Sequence, residues 1–228
     1  MKIGGIIQVK FSEQLRVAAD ASWNASFEHP FIKGIADSTL PIDCFRHYVL
    51  NDAYYLSQFA RVQSLGAAKA PDLHTVNRMA AHAQGTYNAE LSLHDTFSKL
   101  LGITEEEKDL FEPAPTAYAY TSHLLQAAYS GHLGDIIAAI LPCYWLYDEI
   151  GERLRDCKPS ESIYRQWIAA YGGEWFHELV MEQIGRLDEL AAQASQQELE
   201  RMKRYFLISS RYEYMFWDMA YKKETWPV

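Results

Sequence analysis

The residue best suited to covalent chemistry is Cys143, which follows a proline inside a predicted helix. In the run LPCYWLYDE, Pro142 stands where the helix should continue, although a proline there removes a backbone hydrogen bond, bends the axis and costs about 3 kcal/mol. Backbone strain of this kind is common at functional sites. Cys143 shares an apolar stripe with Ile136, Ile140 and Tyr147. We therefore expect an inward thiol that can act as a nucleophile.

Two carboxylates, Asp52 and Glu213, each interrupt an apolar helical stripe. The stripe that contains Asp52 also contains Phe45, Tyr48, Val49, Tyr55, Leu56 and Phe59. The stripe that contains Glu213 also contains Met202, Phe206, Ser209, Phe216 and Ala220. An unpartnered buried carboxylate costs several kcal/mol, so each must be hydrogen-bonded, raised in pKa or placed against a cavity. A structural carboxylate that bonds a tyrosine or a helix terminus is one interpretation. Two of them, without Lys or Arg on either stripe, favour a functional site.

Together these residue types suggest addition of a nucleophile to an electron-poor ring. A soft thiol attacks a ring carbon more easily when an acid of raised pKa protonates the ring. Four tyrosines, Tyr55, Tyr120, Tyr147 and Tyr171, fall on or near the same predicted helices. Aromatic faces stack on flat heterocycles, and phenol hydroxyls orient acids and bases. The sequence therefore predicts a pocket for a flat nitrogen heterocycle.

The elements that must position these residues are all predicted to be helices, because apolar residues recur at three- and four-residue spacing almost throughout. The predicted helices cover about 12–27, 41–68, 72–101, 118–130, 135–157, a short segment ending at 171, 174–192 and 196–223. Residues 103–117 are expected to form a helical turn and a loop. No segment alternates like a strand between hairpin turns, so we predict an all-α bundle.

The composition predicts one globular domain and excludes several function classes. With 228 residues, 49% of them hydrophobic, the chain can bury one sizeable core. A net charge of −9 without a Lys/Arg cluster argues against a nucleic-acid surface. Three scattered cysteines suggest neither disulfides nor zinc, and no apolar run reaches the roughly 20 residues that span a bilayer. We expect a cytoplasmic protein with residues 1–10 as a tail, not a signal peptide, and 11–228 as one domain.

Five runs of the sequence together resemble the TenA/thiaminase II family over about residues 11–226. They are YVLNDAYYL (48–56), TAYAYTSHL (116–124), LPCYWLYDEIG (141–151), YGGEWF (171–176) and SSRYEYMFWDMAY (209–221). The resemblance implies the haem-oxygenase-like helical fold and a homotetramer. It also implies a hydrolase of thiamine salvage that needs no cofactor or metal. Such an aminopyrimidine aminohydrolase converts 4-amino-5-aminomethyl-2-methylpyrimidine to the 5-hydroxymethyl compound and ammonia, and can also cleave thiamine.

The same resemblance implies a role for each candidate site residue. Cys143 resembles the nucleophile that adds to the pyrimidine ring, Glu213 the acid/base at the ring nitrogen, and Asp52 the carboxylate that holds the exocyclic amine. Tyr147 and Phe216 resemble the aromatic pair that encloses the ring. The hydroxyls that bond the substrate or the catalytic groups are matched by those of Tyr55, Tyr120 and Tyr171. The sequence does not rank the aminomethylpyrimidine against thiamine, since both carry the same pyrimidine.

Two rival functions use other features of the sequence. Glu174 and His177 have the Glu-x-x-His spacing of di-iron helical oxidases, but such sites need a second copy that the sequence lacks. Haem binding has only isolated histidines to support it, and a lone His94 in a core stripe is more simply a satisfied histidine. A carrier or regulator would need the pocket but not the cysteine, and the chain has no motif for a DNA-recognition helix.

Overall fold

The computed structural model describes residues 9–89 and 93–228 of the chain. These residues form twelve α-helices and no β-strand, which confirms the predicted all-α fold for the described part. In chain order the helices are α1 (Phe11–Ala18), α2 (Asp20–Phe27), α3 (Pro30–Asp37), α4 (Ile42–Ala68), α5 (Leu73–Ala89), α6 (Asp95–Leu101), α7 (Glu105–Asp109), α8 (Pro115–Ser130), α9 (Leu133–Leu154), α10 (Ser162–Tyr171), α11 (Glu174–Ala191) and α12 (Gln196–Lys222).

Helix α9 lies at the centre of the bundle, as its apolar composition predicts. All ten residues from Leu133 to Pro142 are buried, because α4, α8, α10, α11 and α12 pack around it. Helices α4 and α12 also contact each other. Since Asp52 lies on α4 and Glu213 on α12, both carboxylate stripes face the helix that carries Cys143.

A close approach of α9 to the end of α10 sets the position of Tyr171. A Cβ atom added at Gly151 would lie 2.5 Å from the carbonyl carbon and oxygen of Tyr171, a distance that real Cβ atoms do not adopt. Only glycine therefore allows the two backbones to come this close. The contact holds the backbone of Tyr171 directly against α9 at Gly151, one helical turn after Tyr147.

The first hundred residues contain more breaks than the periodicity predicts. The helix expected over 12–27 is divided at Ala19, whose N–H bonds the carbonyls of both Leu15 and Arg16. Pro30 lies in the stretch between the predicted helices 12–27 and 41–68, yet it begins α3 as its first residue, where His29 Nδ1 accepts the Phe31 N–H at 3.1 Å. Proline at this position loses no helix hydrogen bond, so it is a start signal as well as a stop signal.

The helix expected over 72–101 is two helices, α5 and α6, because α5 ends at Ala89 and α6 begins at Asp95. Residues 90–92 of the predicted helix lie outside the described residues, as does most of the predicted 1–10 tail. The predicted stop at Gly102 is confirmed by its φ of 64°. Helix α7 is the expected helical turn within 103–117, with Thr104 and Glu107 forming a capping box.

Helix α9 begins two residues before the predicted start at about residue 135. His132 is the N-cap residue, and Asp135 lies inside the first turn, where its carboxylate accepts the His132 N–H at 2.8 Å. Asp135 also accepts from Arg201 on α12 at 2.8 Å. Helix α12 begins at Gln196, as predicted, and Ser195 and Glu198 form a capping box at its start. Of the described helices, none is long and apolar enough to cross a membrane.

Candidate active site

A cavity of about 110 Å³ lies beside Cys143, between α4, α5, α9, α10 and α11. Four of the predicted site residues line it, namely Asp52, Cys143, Tyr147 and Tyr171. Most of the remaining wall is apolar or aromatic and includes Leu56, Phe59, Tyr144, Leu93, Phe176 and Leu179. An apolar wall with a few convergent polar groups is typical of a site for a small molecule.

Cys143 presents a neutral thiol to this cavity. Burial raises the pKa of the thiol well above its usual value, and the neighbouring charges of Glu213 and Asp52 act in the same direction. A hydrogen bond from Tyr55 opposes the rise only in part. The thiol is therefore protonated at neutral pH, and a thiol in this state has to lose its proton before it can act as a nucleophile.

Glu213 is an acid in a site built to keep it protonated. The residue is 2% exposed, and the Tyr120 hydroxyl donates to Oε1 at 2.5 Å. Burial raises the pKa of Glu213 to about 8, the Tyr120 hydrogen bond lowers it, and the charge of Asp52 raises it further. At pH 7 roughly ten molecules hold the proton for each that has lost it, since one pKa unit is a factor of ten. Such a group can donate a proton at neutral pH.

Asp52 lies on the cavity wall in contact with a histidine that sequence reasoning treated as structural. Nε2 of His94, just before α6, lies 3.0 Å from Oδ2 of Asp52, and both side chains are almost completely buried. Both residues line the cavity. No feature of the sequence indicated this pairing, because the two residues belong to separate helices with a break between them.

The predicted aromatic residues occupy two layers. Tyr147 and Tyr171 lie on the cavity wall with ring centroids 4.7 Å apart. The second layer contains Tyr55 and Tyr120, 5.0 Å apart, and Phe216, whose ring lies 5.7 Å from that of Tyr55. Burial raises the pKa of Tyr55, Tyr120 and Tyr147 well above the usual range, so these hydroxyls stay protonated.

The predicted ring-enclosing pair is not a pair across the cavity in the described structure. Tyr147 is on the wall, whereas Phe216 is buried behind it and does not line the cavity among the described residues. Phe176, from α11, is on the wall instead, 5.4 Å from Tyr171 at an angle of 77°. It lies in the YGGEWF run, but it was not proposed as a site residue.

Two further tyrosines were missed by sequence reasoning. Tyr48 lies one helical turn before Asp52, and its hydroxyl is 3.3 Å from that of Tyr147 while accepting from Trp167 at 3.2 Å. Tyr144 follows Cys143 directly and lines the cavity. Their spacing was a usable signal, because residues three or four apart on a helix share a face: Tyr48 lies four residues before Asp52, and Tyr144 lies three residues before Tyr147.

The motif behind the di-iron rival lies on the surface. Glu174 and His177 are exposed at the start of α11, and His177 Nδ1 contacts Asp148 at 2.9 Å. Di-iron ligands instead project into a bundle core. Within the described residues no three His, Cys, Asp or Glu side chains are arranged to hold a metal ion.

Comparisons with known proteins identify the family. The model of the TENA/THI-4/PQQC family matches residues 16–223. The aminopyrimidine aminohydrolase of Bacillus subtilis (strain 168) is 57% identical over 218 residues, which cover 96% of this chain and 92% of that protein. The enzyme class predicted from the sequence, a hydrolase, is confirmed.

Solved structures agree with this assignment. A TenA homologue from P. horikoshii OT3 is 29% identical and superposes with a TM-score of 0.86, covering 94% of this chain and 99% of that one. A domain from Shewanella denitrificans, described as having a heme oxygenase-like fold, has a TM-score of 0.73 at 16% identity and covers 96% and 94% of the two chains. The predicted fold is thereby confirmed. The chain belongs to the TENA/THI-4/PQQC family.

Proposed function

We propose that the protein is an aminopyrimidine aminohydrolase of thiamine salvage, which converts 4-amino-5-aminomethyl-2-methylpyrimidine to the 5-hydroxymethyl compound and ammonia. One observation carries the proposal: the Cys143 thiol and the Asp52 carboxylate line one cavity, and the protonated Glu213, which does not itself line it, lies within electrostatic range of both. The name of the Bacillus subtilis relative supports the substrate class. The roles below are those that the chemistry of these three groups favours.

Asp52 and the two wall tyrosines would orient the pyrimidine. A carboxylate accepts hydrogen bonds from an exocyclic amine, and His94 fixes the direction of the Asp52 carboxylate through Oδ2. The faces of Tyr147 and Tyr171 would pack against the ring. Holding the ring against Cys143 in one orientation turns the attack into an effectively intramolecular step.

The attack would be coupled to proton transfer, because both Cys143 and Glu213 are neutral at rest. Glu213 donates its proton to the ring nitrogen, the Cys143 sulfur forms a bond to the adjacent ring carbon, and the ring loses its aromaticity. The thiol proton passes to the Glu213 carboxylate, which lies close enough to raise the pKa of Cys143. The sum of these transfers adds S–H across one C–N bond of the ring and leaves Glu213 protonated.

The adduct would then exchange the substituent on the 5-methylene. The aminomethyl nitrogen, protonated as an ammonium group, leaves as ammonia with the electron pair of its C–N bond, and water adds to the methylene carbon. Expulsion of the Cys143 thiol restores the aromatic ring. The same steps release the thiazole from thiamine, so we also propose thiamine cleavage as a second activity of this site.

Ammonia release from the aminomethylpyrimidine tests the proposal directly. We expect the wild-type protein to release ammonia and Cys143→Ala to release none while it remains folded, because alanine is close in size to cysteine. Cys157→Ala, which removes a partly buried thiol just after α9, is the matched control and should retain full activity. Near wild-type turnover by Cys143→Ala would disprove covalent catalysis. Binding of the pyrimidine without ammonia release by the wild type would favour a carrier instead.

A second assay on the same preparation determines the preference between the two substrates. It compares ammonia release from the aminomethylpyrimidine with thiazole release from thiamine.

We further propose a cytoplasmic homotetramer. The three free cysteines suit a reducing compartment, and the exposed side chains of Tyr87 and Tyr129 border one groove with Leu65 between α4, α5 and α8. Sedimentation of the purified protein tests the tetramer.

A further inference from the structure

A second polar cluster lies where the cavity wall of α4 ends. On α4, Gln63 follows Asp52 by eleven residues, which places it about 16 Å further along the helix at 1.5 Å per residue. Gln63 Nε2 donates to the Tyr144 hydroxyl at 2.5 Å, and Nδ1 of His82 lies 3.0 Å from the same oxygen. Thr86 donates to Gln63 Oε1 at 2.9 Å. Tyr144, His82 and Thr86 all line the cavity, and none of them has a role in the steps given above.

The cluster continues from His82 to a carboxylate that is firmly ionised. Nε2 of His82 lies 3.3 Å from Oε2 of Glu182, a close electrostatic contact rather than a well-formed hydrogen bond. Glu182 accepts two hydrogen bonds from Arg78, at 2.9 and 2.5 Å, and one from Arg186 at 2.9 Å. The hydrogen bond from Arg78 lowers the pKa of Glu182 to about 2. The carboxylate is therefore negative at every physiological pH.

These contacts determine which nitrogen of His82 carries the proton. An ionised carboxylate beside Nε2 favours the tautomer with a proton on Nε2, which leaves a lone pair on Nδ1. The Tyr144 hydroxyl then donates to Nδ1, and its oxygen accepts from Gln63. Burial lowers the pKa of His82, so the ring is neutral and able to accept a proton. The result is a chain of carboxylate, imidazole and phenol that ends on the cavity wall, next in sequence to Cys143.

The hydrolysis needs a group to accept a proton when water adds to the methylene carbon. Glu213 holds a proton at neutral pH, Cys143 is bonded to the ring at this stage, and Asp52 is engaged with His94. Among the described groups around the cavity, the lone pair of His82, reached through Tyr144, is a base that no earlier step uses.

We propose that Tyr144, backed by His82 and Glu182, receives the proton of the water that replaces the leaving group. This inference rests on the proposed function. The water oxygen forms a bond to the methylene carbon, which the departed amine left electron-poor, and its proton passes to the Tyr144 oxygen. The phenol proton moves to Nδ1 of His82, and the resulting imidazolium faces Glu182. The proton then leaves for the released ammonia, so ammonium is the final product. Tyr144 touches the reacting water, whereas His82 and Glu182 act through it as positioning residues.

The test separates proton acceptance from simple packing. His82→Asn keeps a polar group near the position of Nδ1 but cannot take up a proton, and Tyr144→Phe keeps the ring without the hydroxyl. We expect each variant to lose about a hundredfold in ammonia release, the usual contribution of a general base. Azide needs no deprotonation to act as a nucleophile, so its addition should restore ammonia release and yield the azidomethylpyrimidine. His29→Asn changes a buried histidine that caps α3, where asparagine is also a good cap, and should behave like wild type.

Two results would overturn the inference while leaving the proposed function intact. One is hydrolysis by His82→Asn at the wild-type rate. The other is a loss of ammonia release in His82→Asn that azide does not relieve, because the fault would then lie in ring addition or in folding, not in activation of water. If the wild-type protein itself releases no ammonia from the aminomethylpyrimidine, the proposed function fails and this inference fails with it.

Discussion

Replacing Glu213 by glutamine should make the protein more stable at alkaline pH, and the effect can be calculated from the structure. The pKa of Glu213 is raised from 4.5 to about 8. As pH rises above 4.5 the unfolded chain loses this proton while the folded protein keeps it, so the wild type loses stability until pH reaches about 8. At 1.36 kcal/mol per pKa unit the full loss is about 5 kcal/mol, and about 3 kcal/mol of it has occurred by pH 7.

Glutamine keeps the size of the side chain and an oxygen that can accept from Tyr120, but it does not titrate. Urea unfolding, followed by tryptophan fluorescence at fixed protein concentration, measures the free energy of unfolding of both proteins between pH 5 and 9. The advantage of Glu213→Gln over wild type should grow by about 4 kcal/mol from pH 5 to 8 and then level off. Glu178→Gln, at an exposed position on α11, controls for the loss of one carboxylate. A difference between Glu213→Gln and wild type that stays constant within about 1 kcal/mol would refute the protonated-acid assignment.

Three other predictions follow from the same geometry. The kcat/KM for ammonia release should fall tenfold per pH unit above about pH 8, as Glu213 loses its proton, and a rate that stays level to pH 10 would contradict its role as the acid. Gly151→Ala should cost about 1–3 kcal/mol of stability and raise KM by displacing Tyr171. Gly185→Ala is the control, because a Cβ atom there would meet open space. Equal melting temperatures for the two variants would count against the close approach. Asp52→Asn should weaken binding of the hydroxymethyl product by about ten- to a hundredfold in calorimetry, and an unchanged Kd would remove Asp52 from the site.

The fold was predictable where one apolar stripe runs through a long helix. Helices α4, α9 and α12 have 27, 22 and 27 residues, so the period of 3.6 repeats often enough to identify the buried face. Short helices give only two turns of evidence, and Pro30 was ambiguous because proline both ends and begins helices. The eight-residue α3 was missed for this reason.

The site was predictable as a set of inward residues but not as an arrangement in space. Periodicity indicated that Asp52, Cys143 and Glu213 each point into the bundle, and the structure places all three within electrostatic range. It could not indicate the contact between Asp52 and His94, because helix pairing does not follow from the period of either helix. Phe216 shows the same limit of periodicity. It faces inward as predicted, yet its ring packs in the layer behind the wall.

The neutral resting state of the site reconciles its burial with its reactivity. A thiolate at Cys143 and a carboxylate at the buried Glu213 would each need several kcal/mol of compensation, because neither could be well solvated there. Keeping both Cys143 and Glu213 protonated avoids that cost. The raised pKa of each group reflects how strongly burial disfavours its charged form. In the proposed mechanism, the thiolate forms only when a ring nitrogen is present to take the Glu213 proton. Reactivity is thereby tied to the presence of substrate, and a thiol alone in the cavity is protected from unwanted chemistry.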